Sequence, residues 1–248
     1  MEAPMPGQEV AGLYGWRLRI GLIVPSSNTT MESEFHRMRP EGVSVHTARM
    51  ELTEVSPEAL MRMAEGALRA AELLSTAEVD VIIYGCTTGA LVGGMEWERD
   101  LVEKIEDRTG IRTITTAGAV VEAMKALGMT RICVATPYIR ELDELEVKFL
   151  AEHGIEVLDI KGLSLRKNTE IGRLPPWTSY RLAKEVFKPG ADGLFISCTN
   201  FRTIEVIEAL ERELGVPVVT SNQASMWAAL RLIHQPVEGF GRLLREYV

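Results

Sequence analysis

Two cysteines carry the chemistry that this sequence suggests. Cys86 in YGCTTG and Cys198 in SCTNF each follow a short apolar run and precede a polar turn. A thiol is a nucleophile as thiolate and a proton donor as thiol. Two of them on opposite sides of one small ligand can therefore attack a carbon and protonate its neighbour, or exchange a proton across it. Each Cys-Thr pair is expected at or just before a helix start. There backbone N–H groups and the helix dipole bind carboxylate oxygens and lower a thiol's pKa. A single buried cysteine is more often a small hydrophobe, and Cys133, inside RICVAT, fits that description. Cys86 and Cys198 differ from it by their relationship. They are 112 positions apart, and so are IGLIVPS at 20–26 and ICVATPY at 132–138. One offset at two separated motifs reads as an internal duplication.

Polar residues gather beside the cysteines. Ser26-Ser27-Asn28-Thr29-Thr30 follows the first apolar run and Thr136-Pro137-Tyr138 its duplicate; Thr87-Thr88 and Thr199-Asn200 follow the cysteines; Thr115-Thr116 and Ser221-Asn222 follow two later runs. Such residues also cap helices and form turns. Six clusters at equivalent places predict a pocket of hydroxyls, amides and N–H groups suited to carboxylates. Among them Ser26, Asn28, Thr87, Thr88, Tyr138 and Thr199 are candidate substrate-binding residues.

The elements that must position these groups alternate. Strands are expected at 19–25, 43–48, 79–85 and 111–115, then at 131–136, 155–160, 192–197 and 216–220. Helices are expected from an N-cap at Ser56 to about 75, at 95–109 and 117–127, then at 139–153, 176–188, 202–214 and 223–234. Gly110 and Gly215 are suited to close two of them. The fold class is α/β: two pseudo-symmetric parallel-sheet (βα)4 lobes, with the active site in the cleft between them. The expected boundaries are an N-terminal extension at 1–17, a first lobe at 18–128 and a second at 129–248, whose C-terminal helices could pack on the first lobe. In open parallel sheets, ligands bind beyond the carboxyl ends of the strands, which is where both cysteines fall.

Composition excludes several classes. The 248 residues are 46% hydrophobic and 25% charged, with a net charge of −8. That is the balance of a globular chain, and its sign argues against nucleic-acid or anionic-membrane partners. No apolar run is long enough to span a membrane, and the first sixteen residues lack the pattern of a signal peptide. Three cysteines exclude a disulfide scaffold and point to a reducing, cytoplasmic compartment. No Gly-rich phosphate loop is present and the four histidines show no ligand spacing, so no cofactor and no metal is expected. The acidic run Glu141–Glu146 reads as a solvated helix face.

The motifs together resemble the aspartate/glutamate racemase superfamily, and within it the maleate cis–trans isomerase and arylmalonate decarboxylase branch. GLIVPSSNTTME at 21–32, YGCTTG, ATPY, the Asn of RKNTEIGR and SCTNFRT fall in that branch's order and spacing. The resemblance implies cofactor-free chemistry at a carbon next to a carboxylate. The cysteine matching Cys86 adds to the maleate double bond, and the one matching Cys198 supplies and retrieves a proton. Positions matching Asn28, Tyr138 and Asn168 hold the substrate carboxylates, and a homo-oligomer is implied. Glutamate racemases carry Asp-Ser and a His where this chain has Pro25-Ser26 and Asn200. Arylmalonate decarboxylases keep only the second cysteine, although Thr87-Thr88 is similar to their hydroxyl-bearing pocket. A two-cysteine racemase or epimerase, an arylmalonate-type decarboxylase and a carboxylate-binding protein without turnover stand as alternatives. The pattern is also similar to racemase-like proteins of ectoine breakdown.

Overall fold

A computed structural model describes residues 14–52 and 57–248 of the chain. Residues 1–13 of the expected extension and the N-cap expected at Ser56 lie outside the described residues. Two four-stranded parallel sheets form the centre of the molecule. The first holds β1 (Leu18–Pro25), β2 (Val43–Met50), β3 (Val81–Tyr84) and β4 (Thr113–Thr115) in the order β2-β1-β3-β4. The second holds β5 (Arg131–Thr136), β6 (Glu156–Gly162), β7 (Gly193–Ile196) and β8 (Val218–Thr220) in the order β6-β5-β7-β8. Inner strands β3 and β7 are buried throughout, because helices cover both faces of a parallel sheet and leave no face for polar alternation. Edge strands β2 and β6 are mostly half-buried and carry the polar residues.

The duplication shows in the register. Ile20 pairs with Val81 and Ile132 with Gly193, both partners shifted by 112. The sheet floors are clamped alike: the Arg19 N–H donates to the Asp80 carboxylate at 2.6 Å, and the Arg131 N–H to that of Asp192 at 2.9 Å. Beyond the third strand of each sheet the offset changes. Ile82 pairs with Thr113 but Leu194 with Val218, so the fourth strands are 105 apart. The seven residues are lost in the helix that follows each cysteine, and there the halves differ most.

In the first lobe that helix is α3 (Thr87–Thr109), with Cys86 as its N-cap residue. It starts eight residues earlier than the sequence predicts and kinks at Gly94, whose φ of 78° and ψ of 177° interrupt the helix; only glycine takes such a conformation freely. Helix α2 (Pro57–Ser75) starts at proline as expected. Two helices that the sequence hid in loops are α1 (Met31–Met38) and α6 (Asn168–Gly172). Helix α1 supplies the crossover between β1 and β2 that the repeat requires; α4 (Thr116–Ala126), α5 (Arg140–Glu152) and α7 (Pro176–Val186) match expectation closely. In the second lobe α8 (Ile207–Leu214) starts five residues late, so no helix begins at Cys198. That corrects the expectation of a helix start at both cysteines. Helix α9 (Ser221–Leu230) follows β8 directly and packs on α4, so the apolar faces of these two helices cover each other across the lobes. A short α10 (Arg242–Glu246) ends the chain. No helix among the described residues is long and apolar enough to cross a membrane.

Candidate active site

Both sheets place a switch in strand order between their first and third strands, β1/β3 and β5/β7, and ligands of such sheets bind beyond the carboxyl ends there. Cys86 follows β3 and Cys198 follows β7. The lobes face each other at these edges, since Thr199 Oγ1 donates to the Gly85 carbonyl at 3.3 Å and receives the Asn28 side-chain amide at 3.0 Å. Ser221 ties the two cysteine loops together. Its Oγ receives the Cys198 N–H and the Thr87 hydroxyl, each at 3.0 Å. The thiols are 4% and 6% exposed, and close enough for a charge on Cys86 to oppose ionisation of Cys198.

Each cysteine has its own surroundings. Cys86 has extended backbone, φ −144° and ψ 114°, and its sulfur lies 3.6 Å from Thr88 Oγ1. Burial pushes this thiol above its usual range, against the Thr88 hydroxyl and the N–H groups of Thr88 and Gly89. Cys198 has φ 97°, in the left-handed region that costs a non-glycine residue about 1–3 kcal/mol. That turn brings the Asn200 N–H within 3.4 Å of its own sulfur. Burial pushes Cys198 up to about 12, outweighing the Asn200 N–H and the Tyr138 hydroxyl, which favour the thiolate. The lowered thiol pKa expected from helix N-termini is thus not found: desolvation exceeds the N–H donors.

A ring of buried amides and hydroxyls completes the cleft. Asn28 Oδ1 receives the N–H groups of Thr30 and Met31 at the start of α1, which fixes its amide nitrogen toward Thr199. Asn168 at the start of α6 donates to Ser27 Oγ at 2.9 Å, and its carbonyl receives the Asn200 amide at 2.7 Å. Asn200 in turn receives the Thr29 N–H, and its carbonyl the Thr30 hydroxyl, each at 2.9 Å. Asn28, Thr87, Thr88, Tyr138, Asn168 and Thr199 are all buried. Ser26 is the exception: it is exposed, and its Oγ exchanges hydrogen bonds with the backbone of Leu52. Its neighbour Ser27, half-buried, takes the inward place.

Sequence reasoning passed over several participants. Glu34 on α1 is buried, raised to about 7 by desolvation, and receives the N–H groups of Thr203 and Ile204 and the Asn222 amide, bracing the turn after Cys198. The Tyr84 hydroxyl is buried without a partner among the described residues. The run 141–146 is not a solvated face, because Asp143 and Glu146 are buried at 8% and 1% exposure. The period-3.6 pattern of Leu142, Asp143, Glu146, Phe149 and Leu150 on α5 carried that signal. Cys133 is fully buried in β5, its sulfur receiving the Lys188 N–H at 3.3 Å. Among the described residues no His, Cys, Asp and Glu side chains are grouped to hold a metal ion.

The chain is similar to proteins with this architecture over nearly its whole length. The maleate isomerase of Nocardia farcinica (strain IFM 10152) is 34% identical over 92% of this chain and 96% of its own. The maleate isomerase of Pseudomonas putida S16, solved with maleate, superposes with a TM-score of 0.89 at 31% identity, over 93% of this chain and 98% of that one. A mutant of the Nocardia farcinica maleate cis–trans isomerase, solved with a covalently bound succinylcysteine intermediate, superposes with a TM-score of 0.88 at 32% identity, over 93% and 99%. The family model of arylmalonate decarboxylase matches residues 20–244. Matched by that model over most of its length, the chain belongs to the arylmalonate decarboxylase family.

Proposed function

We propose that the protein is a cofactor-independent isomerase that converts a small cis dicarboxylate to its trans isomer, maleate to fumarate. The observation that carries this reading is the pair of buried thiols at the switch points of facing sheets, ringed by neutral amide and hydroxyl donors. A decarboxylase of this family that keeps one cysteine needs no counterpart to Cys86, so two thiols favour addition and elimination.

Cys86 acts as thiolate and adds to one alkene carbon. The electron pair of the double bond moves to the neighbouring carbon, where the adjacent carboxylate spreads the charge, and Cys198 gives that carbon its proton. The succinyl adduct has a single bond in place of the double bond, and it rotates. Cys198, now the thiolate, removes the proton; the double bond re-forms and the Cys86 sulfur leaves. Atoms and charge balance without an added reagent. The N–H groups of Thr88 and Gly89 stabilise the Cys86 thiolate before attack and after release. Asn28, Asn168, Thr87, Thr88 and Thr199 hold the two carboxylates by hydrogen bonds, and Tyr138 borders the site at the Cys198 thiol. Neutral donors suit this task, because a fixed cation would oppose rotation of the carboxylate it paired with. The resemblance supports a homo-oligomer, and three free thiols suit a reducing compartment.

The test is proton NMR of maleate with the purified protein and no added cofactor. Fumarate should accumulate with the wild type and not with Cys86→Ser. An untouched maleate signal rejects the substrate, and equal turnover by the variant rejects the nucleophile. Incorporation of solvent deuterium at the α-carbon of an amino or hydroxy acid, without isomerisation of maleate, would favour a two-thiol racemase.

A further inference from the structure

The acidic side of α5 leads to Cys198. Glu146 Oε1 receives the Ser197 hydroxyl at 2.6 Å, while Oε2 meets no partner among the described residues. Ser197 immediately precedes Cys198, and the Tyr138 hydroxyl interacts with both Ser197 and the Cys198 thiol. Four side chains are thus neighbours here: Glu146, Ser197, Tyr138 and Cys198. All are buried. An ionised carboxylate with one bare oxygen is costly at such a place. Burial accordingly pushes Glu146 up to about 8, against the Ser197 bond, and Asp143 one turn earlier adds to the rise. The charged or titratable groups around it are Asp143 on its own helix and Tyr138 after β5, with Cys198 beyond. Helix α3 and strand β6 also pack on α5, and among the described residues neither adds a charge that acts on it. The addition and elimination described above make no use of this carboxyl.

A neutral carboxylic acid both donates and accepts, whereas a carboxylate only accepts. We propose that Glu146 is a positioning residue for the Cys198 proton: as a neutral acid it lets the hydrogen bonds through Ser197 and Tyr138 run in either direction, suiting Cys198 first as thiol and then as thiolate. This rests on the reading of Cys198 as proton donor. In the first direction the Cys198 S–H donates to the Tyr138 oxygen, Tyr138 to Ser197, and Ser197 to Glu146. Once the sulfur has given its proton to the substrate carbon, the Tyr138 and Ser197 O–H groups rotate and the Glu146 carboxyl turns its protonated oxygen to Ser197. Glu146 then donates to Ser197, Ser197 to Tyr138, and Tyr138 to the sulfur anion. No proton leaves these groups except the one carried by the substrate, which elimination returns. An ionised Glu146 locks the first direction and sets a second negative charge near the thiolate.

The pH profile of kcat for maleate tests this. Glu146→Gln keeps a donor and an acceptor in the same volume, and Glu146→Leu keeps neither. The wild type should lose kcat as the pH rises through about 8, and Glu146→Gln should lack that limb. Glu146→Leu should lose about 10²-fold in kcat with KM unchanged. An alkaline limb at the same pH in Glu146→Gln overturns the proposal, and so does a leucine variant with wild-type kcat; if the leucine variant fails to fold, the glutamine profile decides. A second readout needs no turnover: iodoacetamide alkylation of Cys198 in a Cys86→Ser, Cys133→Ser background, followed by intact mass from neutral pH upward. Alkylation should accelerate at lower pH in Glu146→Gln than with Glu146 present, and coincident profiles overturn the proposal. Failure of the isomerase reading shows separately, as a wild type inert to maleate or a Cys198→Ala variant with full kcat.

Discussion

Cys86 and Cys198 occupy the same place in two copies of one fold unit, yet their surroundings differ. Cys86 is the N-cap residue of a helix in relaxed extended backbone, with a threonine hydroxyl 3.6 Å from its sulfur and the Thr88 and Gly89 N–H groups favouring its thiolate. Cys198 sits in a left-handed turn without a helix behind it, near a tyrosine, a serine hydroxyl and a buried acid. Burial raises both thiols; the donors after Cys86 offset part of that rise, whereas Cys198 keeps its proton up to about 12. The segment after Cys198 is seven residues shorter than the one after Cys86, and only Cys86 stands at a helix start. A symmetric pair would suit a racemase that must take a proton from either face. The asymmetry suits a nucleophile and an acid.

The largest effect that would break this comparison is kinetic. Cys198→Ser should lower turnover by about 10³-fold, as loss of a positioned acid and base does, while the Cys86 nucleophile remains and accumulates a dicarboxylate adduct detectable by intact mass. Cys86→Ser should lose turnover with no adduct. If both variants trap adducts, or neither does, the two thiols are interchangeable.

A smaller effect separates the lobes by pH. Glu34 braces the interlobe turn at about 7, whereas α5 of the second lobe holds Asp143 at about 6 and Glu146 at about 8, all raised by desolvation. Raised carboxyls keep their protons in the native state after the unfolded chain has lost them. Their contribution is therefore present near pH 4.5 and declines as the pH rises through those values. Urea unfolding should show stability falling by roughly a kcal/mol or more between about pH 5 and 8. Glu146→Gln should flatten the upper part of that fall and Glu34→Gln the middle; a stability that is flat or rises with pH contradicts both burials.

The smallest effect is local strain. Cys198→Gly removes a thiol but relaxes a φ of 97°, whereas Cys86→Gly removes a thiol from a backbone that needs no relief. Thermal unfolding should find Cys198→Gly less destabilising than Cys86→Gly by about 1–3 kcal/mol. The reverse order would mean that the turn at Cys198 carries no strain.

Much of this molecule was legible in its residues because the cues were local or repeated. The buried strands announced themselves as apolar runs, and the offset of 112 tied Cys86 to Cys198 before any contact was known. Helices α1 and α6 were not legible, being short and set among polar residues that read equally well as loops. The early start of α3 was hidden by Gly93-Gly94, which locally argue against a helix. Ser26 looked equivalent to Ser27, and only the end of β1 decides which hydroxyl turns inward.

The sequence by itself determined the duplicated α/β plan, the pairing of two thiols out of three, and the polar character of the edge on which they stand. Those properties follow from side-chain type and spacing, which local physics reads directly. Tertiary structure alone decided the protonation of that edge. Whether a thiol or a carboxyl keeps its proton depends on how much water packing removes and which donors survive beside it. Lobe docking set that balance at Cys86 and Cys198, through contacts between residues more than a hundred positions apart in the chain, and packing within the second lobe set it at Glu146.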